Sequence, residues 1–256
     1  MVPQRPQPPA PHVVILGVPV HAVTFESLLE TITTWIDRGD RCYQVCTASP
    51  EFVMIAQDDV AFRRVLRRAD LCVADGVGLL LAARYLGRPL PERVTGSDGL
   101  PLIAERAART GWKLFLLGAA PGVAEQAADA LRRRFPGVQI VGCYAGSPDP
   151  SEDEAIVTRV NASGADILFV AYGAPRQDLW IARNAPRLTA RVALGVGGAL
   201  DFAAGIVPRA PRWMQRLGLE WLYRLVREPW RWRRMLRLPR FVWAVVWHRE
   251  RALDGK

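Results

Sequence analysis

Cysteine and histidine are scarce in this chain, with four Cys and three His among 256 residues. Cys42, Cys46, Cys72 and Cys143 are too few for a disulfide scaffold at this length, and their apolar surroundings read as buried strands in a reducing compartment. There is no CxxC pair, and His12, His21 and His248 are scattered, so the usual spacing of a zinc site is excluded. Long apolar runs are missing too. The longest, residues 241–247 (FVWAVVW), falls far short of the roughly 20 residues a spanning helix needs, and mean hydropathy is only +0.05. Asp-x-Asp occurs nowhere, which removes the usual carboxylate pair for gripping a metal-bound nucleotide diphosphate. A departing nucleoside diphosphate would have to be met by backbone amides, a helix N-terminus or Arg side chains.

What is present is ordinary for a globular protein: 50% hydrophobic and 23% charged residues, with 21 Gly and 20 Pro. This excludes a disordered chain, a collagen-like repeat and a coiled coil, and the length allows one large or two small domains. The net charge of +9 is local. From Arg209 to Arg251 twelve arginines face only Glu220, Glu228 and Glu250, so this segment carries the whole excess and the rest of the chain is neutral. The segment also holds six of the nine Trp. Such a tail seeks an anionic surface: phosphates, an acidic lipid leaflet or a nucleic acid. Residues 1–11, with five Pro and no apolar signal-peptide core, are predicted to be a disordered cytoplasmic leader.

Between leader and tail, apolar β-rich runs at 13–18, 43–47, 71–74, 113–117, 138–143, 166–170 and 191–196 alternate with helical patterns near 24–37, 50–68, 76–86, 98–110, 121–135, 151–163 and 175–185. Thr24 and Ser151 are predicted N-caps, the latter with Glu154 at capping-box spacing. Continuous apolar strands alternating with helices imply an α/β protein, with a Rossmann-like open, mostly parallel sheet covered by helices on both faces. That domain is expected over 12–207. A helical, Arg/Trp-rich C-terminal appendage is expected over 208–256, cut by prolines into helices near 211–227, 229–238 and 239–251.

In an open α/β sheet, ligands bind outside the carboxyl ends of the strands, and the turns there are small or polar. Asp75, followed by Gly76, suits a general base that approaches a substrate hydroxyl; the alternative is an Asp that caps the next helix or shapes a turn. Gly118 opens a turn that either presents N–H groups to a diphosphate or is only a tight strand-to-helix connection. In the stretch 195–201, Gly197 and Gly198 permit close backbone approach, and Asp201 could hold a ribose or sugar hydroxyl or be structural. Thr47 could donate a hydrogen bond to a sugar or phosphate, or cap a helix. Gln177 and Arg176 face either the cleft or solvent. The tail reads as a membrane-surface element, with Trp and Leu at the lipid boundary and Arg on anionic headgroups, or as a docked helical appendage. No RNP, zinc-finger or helix-turn-helix pattern supports nucleic-acid binding.

The motifs TASPE (47–51), ADLCVADG (69–76), RVTGSD (93–98), GAPRQDLW (173–180), GVGGALDF (195–202), AGIVPRAPRW (204–213) and GLEWLYRLVREP (218–229) follow one another in order. As a series they resemble the WecG/TagA/CpsF family of bacterial glycosyltransferases, glycosyltransferase family 26, over about residues 13–240. The resemblance implies an inverting, metal-independent transfer, without a cofactor, from a UDP-sugar to a polyprenyl-diphosphate-linked saccharide in surface or exopolysaccharide synthesis. Candidate donors are UDP-N-acetylmannosamine, its uronic acid and UDP-glucose. The enzyme is expected to be peripheral on the cytoplasmic face of the inner membrane, with no nucleic-acid partner; a homo-oligomer is left open. By the same resemblance Asp75 corresponds to the proposed base, and Thr47 and Gln177 to cleft residues. Arg209, Arg224 and Arg227 correspond to cationic side chains of an appendage that covers the site and binds the acceptor or diphosphate. The family commonly has Asn-Pro-Glu where this chain has Ser49-Pro50-Glu51, so a sugar contact made by that Asn does not carry over. The alternative reading is a nucleotide-sugar-binding or nucleic-acid-binding protein without transferase activity.

Overall fold

The computed structural model describes residues 11–216, 218–229 and 232–247. The predicted leader, but for Pro11, and the end of the predicted last helix lie outside the described residues. Eight strands run in chain order: β1 (His12–Ile15), β2 (Val18–His21), β3 (Tyr43–Ala48), β4 (Leu71–Ala74), β5 (Lys113–Gly118), β6 (Gln139–Tyr144), β7 (Ile167–Ala171) and β8 (Val192–Gly195). The helices of the body are α1 (Phe25–Arg38), α2 (Pro50–Asp58), α3 (Val60–Arg68), α4 (Val77–Tyr85), α5 (Gly96–Thr110), α6 (Val123–Arg134), α7 (Asp153–Ser163), α8 (Arg176–Asn184) and α9 (Ala199–Ala203). The C-terminal segment adds α10 (Arg212–Arg216), α11 (Glu220–Arg227), α12 (Trp232–Met235) and α13 (Arg237–Trp247).

Six strands form one sheet in the order β4-β3-β8-β7-β5-β6, and all of its pairings are parallel. Alternate residues of each strand enter cores on opposite faces, as strand geometry requires. Val45, Leu116, Phe169 and Leu194 pack with α1, α5 and α6 on one side. On the other, Leu117, Leu168 and Val170 pack against α7 and α8, while Cys46 and Ala48 pack against α2 and α3. Burial on both faces is why the strands read as unbroken apolar runs.

Several boundaries differ from the sequence reading. The run at 13–18 is not one strand but the antiparallel hairpin β1–β2, folded at Leu16 and Gly17. Both turn residues have positive φ (49° and 82°), as a two-residue hairpin turn demands. The hairpin packs beside the sheet edge, where His21 Nδ1 accepts from the Cys72 amide at 2.9 Å. The helix expected over 50–68 is two helices, because the Asp59 carboxylate accepts from the Phe62 N–H at 2.9 Å and starts a new one. Thr24 caps α1 reciprocally with Ser27. Ser151 is no cap: Asp149 accepts from its N–H, and α7 starts only at Asp153.

The predicted helix 211–227 is likewise split. Gly218 lies at φ +70°, and a Cβ there would sit 2.7 Å from Val77, so the C-terminal segment approaches α4 where only glycine fits. Beyond it, Phe241 and Val245 of α13 are buried in the core that holds Phe52 and Val53 of α2. Ion pairs Arg237–Glu51 (2.9 Å), Arg240–Asp58 (3.0 Å) and Arg209–Asp98 (2.6 Å) tie the segment to the body. The opposite face of α13 exposes Val242, Trp243, Val246 and Trp247, and the two Trp rings stack with centroids 5.8 Å apart. Among the described residues no helix is long and apolar enough to cross a membrane.

Candidate active site

The chain leaves β3 outward to β4 and β5 outward to β6, and later fills the gap between the two pairs with β7 and β8. Such a reversal opens a crevice at the carboxyl ends of the strands. A cleft of about 290 Å³ lies there, lined among others by Thr47, Asp75, Gln177, Gly197, Gly198 and Arg224. A second lobe of about 370 Å³ adjoins it between α4 and the C-terminal helices, walled by Val77, Trp221, Leu225, Leu238, Phe241 and Val242. The lobes share Ser49, Glu51, Asp75, Glu220 and Arg224. One lobe is thus rimmed by backbone turns and polar groups, the other is mainly apolar, and Asp75 stands at their junction.

Asp75 follows β4 directly, and its N–H donates to the Ala48 carbonyl at 2.6 Å. It does not cap α4: Gly76 occupies that position without a side-chain cap bond. Gly76 is at φ +150°, and a Cβ there would lie 3.1 Å from Pro50 Cδ, which explains the Asp-Gly pair sterically. Asp75 Oδ2 instead accepts from the Gly96 N–H at 3.0 Å, at the first turn of α5. Burial pushes the carboxyl up to about 6; the Gly96 bond and nearby Arg93 oppose that, while Glu220 and Asp98 add to it. At neutral pH the group is therefore ionised yet a better proton acceptor than an exposed aspartate, which suits a general base.

The other predicted residues divide into three groups. Thr47 and Gln177 reach the cleft but spend their polar atoms on the framework. The Thr47 hydroxyl donates to the Gly195 carbonyl at 2.7 Å, so toward a ligand it can accept rather than donate, contrary to the sequence reading. Gln177 is buried, not solvent-facing; its Oε1 accepts from the Gly173 N–H (3.1 Å) and the Gly197 N–H (2.9 Å), joining the loops after β7 and β8. Gly198 permits the second feature, the approach of Arg224: a Cβ there would lie 3.5 Å from Arg224 Nη2 and 3.6 Å from Asp201 Oδ2. Arg224 stands 4.9 Å from the Phe202 ring centroid, and its buried Nε has no hydrogen-bond partner among the described residues.

The remaining four are placed elsewhere. Asp201, in the first turn of α9, is not among the residues lining either lobe. Gly118 is not among the residues lining the cleft; at φ +98° a Cβ would lie 2.9 Å from the Ala171 carbonyl carbon, so strand packing alone requires glycine. Arg209 is engaged by Asp98 and by Glu220 (3.2 Å), and Arg93 bonds the other Glu220 oxygen at 2.9 Å. Arg227 lies over the Tyr223 ring at 5.6 Å, outside both lobes. Sequence reasoning missed Glu220 and Arg93, which complete this ionic cluster beside Asp75. The available signals were Glu220 as one of three acids in a basic segment and Arg93 within the RVTGSD motif. Ser49 lines both lobes, but its hydroxyl accepts from the Phe52 N–H at 3.3 Å as the N-cap of α2.

The chain is similar to known proteins over most of its length. The model of the glycosyl transferase WecG/TagA/CpsF family matches residues 13–254. A curated relative from Bacillus spizizenii (strain W23), named N-acetylglucosaminyldiphosphoundecaprenol N-acetyl-beta-D-mannosaminyltransferase, is 35% identical over 229 residues, covering 90% of this chain and 87% of the relative. A protein of the same name from Staphylococcus aureus (strain MRSA252) is 33% identical over 233 residues, covering 91% of each chain.

Proposed function

The chain belongs to the WecG/TagA/CpsF family of glycosyltransferases, and on that premise we propose that it moves N-acetylmannosamine from its UDP conjugate to a polyprenyl-diphosphate-linked saccharide. The names of the relatives favour this sugar over its uronic acid or glucose. The observation that carries the reading is the meeting of Asp75 and Arg224 at the junction of a polar and an apolar lobe. The donor occupies the polar lobe. The acceptor reaches Asp75 from the apolar lobe, whose Trp221, Leu225 and Leu238 suit the lipid end of such a substrate.

In the transfer, the acceptor hydroxyl oxygen attacks the anomeric carbon from the face opposite UDP. The new C–O bond forms as the C–O bond to the β-phosphate breaks, and the hydroxyl proton passes to an Asp75 oxygen. UDP leaves with the electron pair, and its negative charge falls beside the Arg224 guanidinium. One displacement inverts the anomeric centre. The exposed Trp243 and Trp247, beside the basic α12–α13 segment, seat the enzyme on the cytoplasmic face of the inner membrane in the synthesis of a surface glycan.

The test is UDP release from a panel of UDP-sugars with a polyprenyl-diphosphate-linked N-acetylglucosamine acceptor. We expect UDP-N-acetylmannosamine to be turned over, and Asp75→Asn to lose about 10²–10⁴-fold in kcat while still binding the donor. Near wild-type turnover in that variant removes Asp75 from the proton transfer.

A further inference from the structure

Directly after Gln177 comes a second polar residue that the transfer does not use. Asp178 is fully buried, and among the described residues no hydrogen bond of ordinary geometry reaches either carboxyl oxygen; the polar side chains that act on it are the Cys46 thiol and the Gln177 amide. It lies behind the end of β8. A Cβ on Gly195 would sit 2.7 Å from Asp178 Oδ1 and 2.7 Å from Gln177 Nε2, so the two polar groups converge on the space that this glycine leaves free. Among the described residues no charged side chain faces Asp178: β3 presents the Cys46 thiol, and its own helix presents Gln177. Burial accordingly pushes its carboxyl up to about 7, while Cys46 and Gln177 act in the other direction.

The Gln177 amide has two faces with opposite demands. Its oxygen holds two backbone N–H donors, from Gly173 and Gly197. A flipped amide would set its NH₂ against both donors and lose both bonds. We propose that Asp178 is a positioning residue for the donor lobe: its buried Oδ1 draws Gln177 Nε2 toward Gly195, which keeps Gln177 Oε1 on the Gly173 and Gly197 amides and fixes both loops. Those loops line the polar lobe, so their spacing sets how the donor sits. The inference on donor binding rests on the proposed use of that lobe; the orientation of the amide does not.

Two substitutions separate this role from simple packing. Asp178→Asn keeps an acceptor oxygen at nearly unchanged shape, whereas Asp178→Leu keeps the bulk and removes the acceptor. With thermal unfolding as the control for folding, Asp178→Leu should speed amide hydrogen exchange at Gly173 and Gly197 by about tenfold or more. It should raise KM for the UDP-sugar about tenfold with little change in kcat. Asp178→Asn should stay near wild type in both. Unchanged exchange at the two glycines in Asp178→Leu, or equal damage from Asn and Leu, overturns the proposal.

Should Asp178→Leu not fold, an exchange of partners decides. Gln177→Glu sets carboxylate against carboxyl and should accelerate the two amides, and Gln177→Glu with Asp178→Asn should recover at least half of that loss. Absence of recovery also overturns it. Amide exchange needs no turnover, so an enzyme that releases no UDP from any donor would sink the proposed transfer and leave this test standing.

Discussion

The two walls of the cleft are built by different physics. The body contributes the ends of β3, β4, β7 and β8, where Thr47, Gln177 and the glycines at 195–198 are locked by short hydrogen bonds to backbone atoms. The C-terminal segment contributes Glu220, Trp221 and Arg224, and charge pairs hold much of it in place: Arg209–Asp98, Arg93–Glu220, Arg237–Glu51 and Arg240–Asp58. A wall of backbone hydrogen bonds keeps one shape. A wall of partly exposed ion pairs is cheap to rearrange, since each such pair contributes only about 0–1 kcal/mol. The difference bears on specificity: with the donor in the polar lobe, as proposed, it meets a floor of fixed shape, whereas the wall of the apolar lobe is held by contacts that are cheap to exchange.

If that division holds, the largest loss outside the base should come from the roof arginine that lines both lobes. Arg224→Ala should lower kcat/KM by about 10²-fold, through loss of a charge-assisted contact to the leaving diphosphate. Arg224→Lys should recover only part of it, since an ammonium lacks the planar fork that also lies over Phe202. Arg209→Lys should cost far less, because Arg209 is spent on Asp98 and Glu220. Steady-state kinetics on the three variants check this, and equal losses at 209 and 224 would erase the distinction between the two arginines.

A smaller effect probes the outer face of the same wall. Removing the segment outright would uncover the core around Phe241 and Val245, so point substitutions are cleaner. Replacing Trp243 and Trp247 by Ser should weaken sedimentation with anionic vesicles by on the order of tenfold, most clearly at low salt, and leave Tm nearly unchanged. Equal sedimentation of variant and wild type would place the membrane contact elsewhere.

These contrasts follow how well each wall could be read in advance. The six parallel strands were legible because burial on both faces leaves an apolar run, as in residues 114–117. The hairpin was not: its turn uses Leu16 at φ 49°, a residue type that carries no turn signal. The five-residue α9 is too short to show a period. At the site, the position of Asp75 on the cleft was legible from its place at a strand end. The fates of Arg209 and Gln177 were not, because the partners that decide them, Asp98 and Gly197, lie 111 and 20 residues away in sequence.

The smallest predicted effect runs opposite to catalysis and tests the environment of Asp75 directly. Its carboxyl is raised from 3.8 to about 6, chiefly by burial, so the folded chain holds this proton more tightly than the unfolded chain does. Stability must then fall as pH climbs through the interval between those values, and the full cost of the buried charge persists above it. An Asn side chain cannot ionise and still offers an oxygen to the Gly96 N–H. Asp75→Asn should therefore raise Tm by ~2–5 °C at pH 7–8, with the gain shrinking to nothing below about pH 4. Thermal unfolding across that range checks it. A variant that is slower yet more stable would mean that the floor tolerates a strained charge because the reaction requires one, whereas a gain confined to acid pH would contradict the assigned burial.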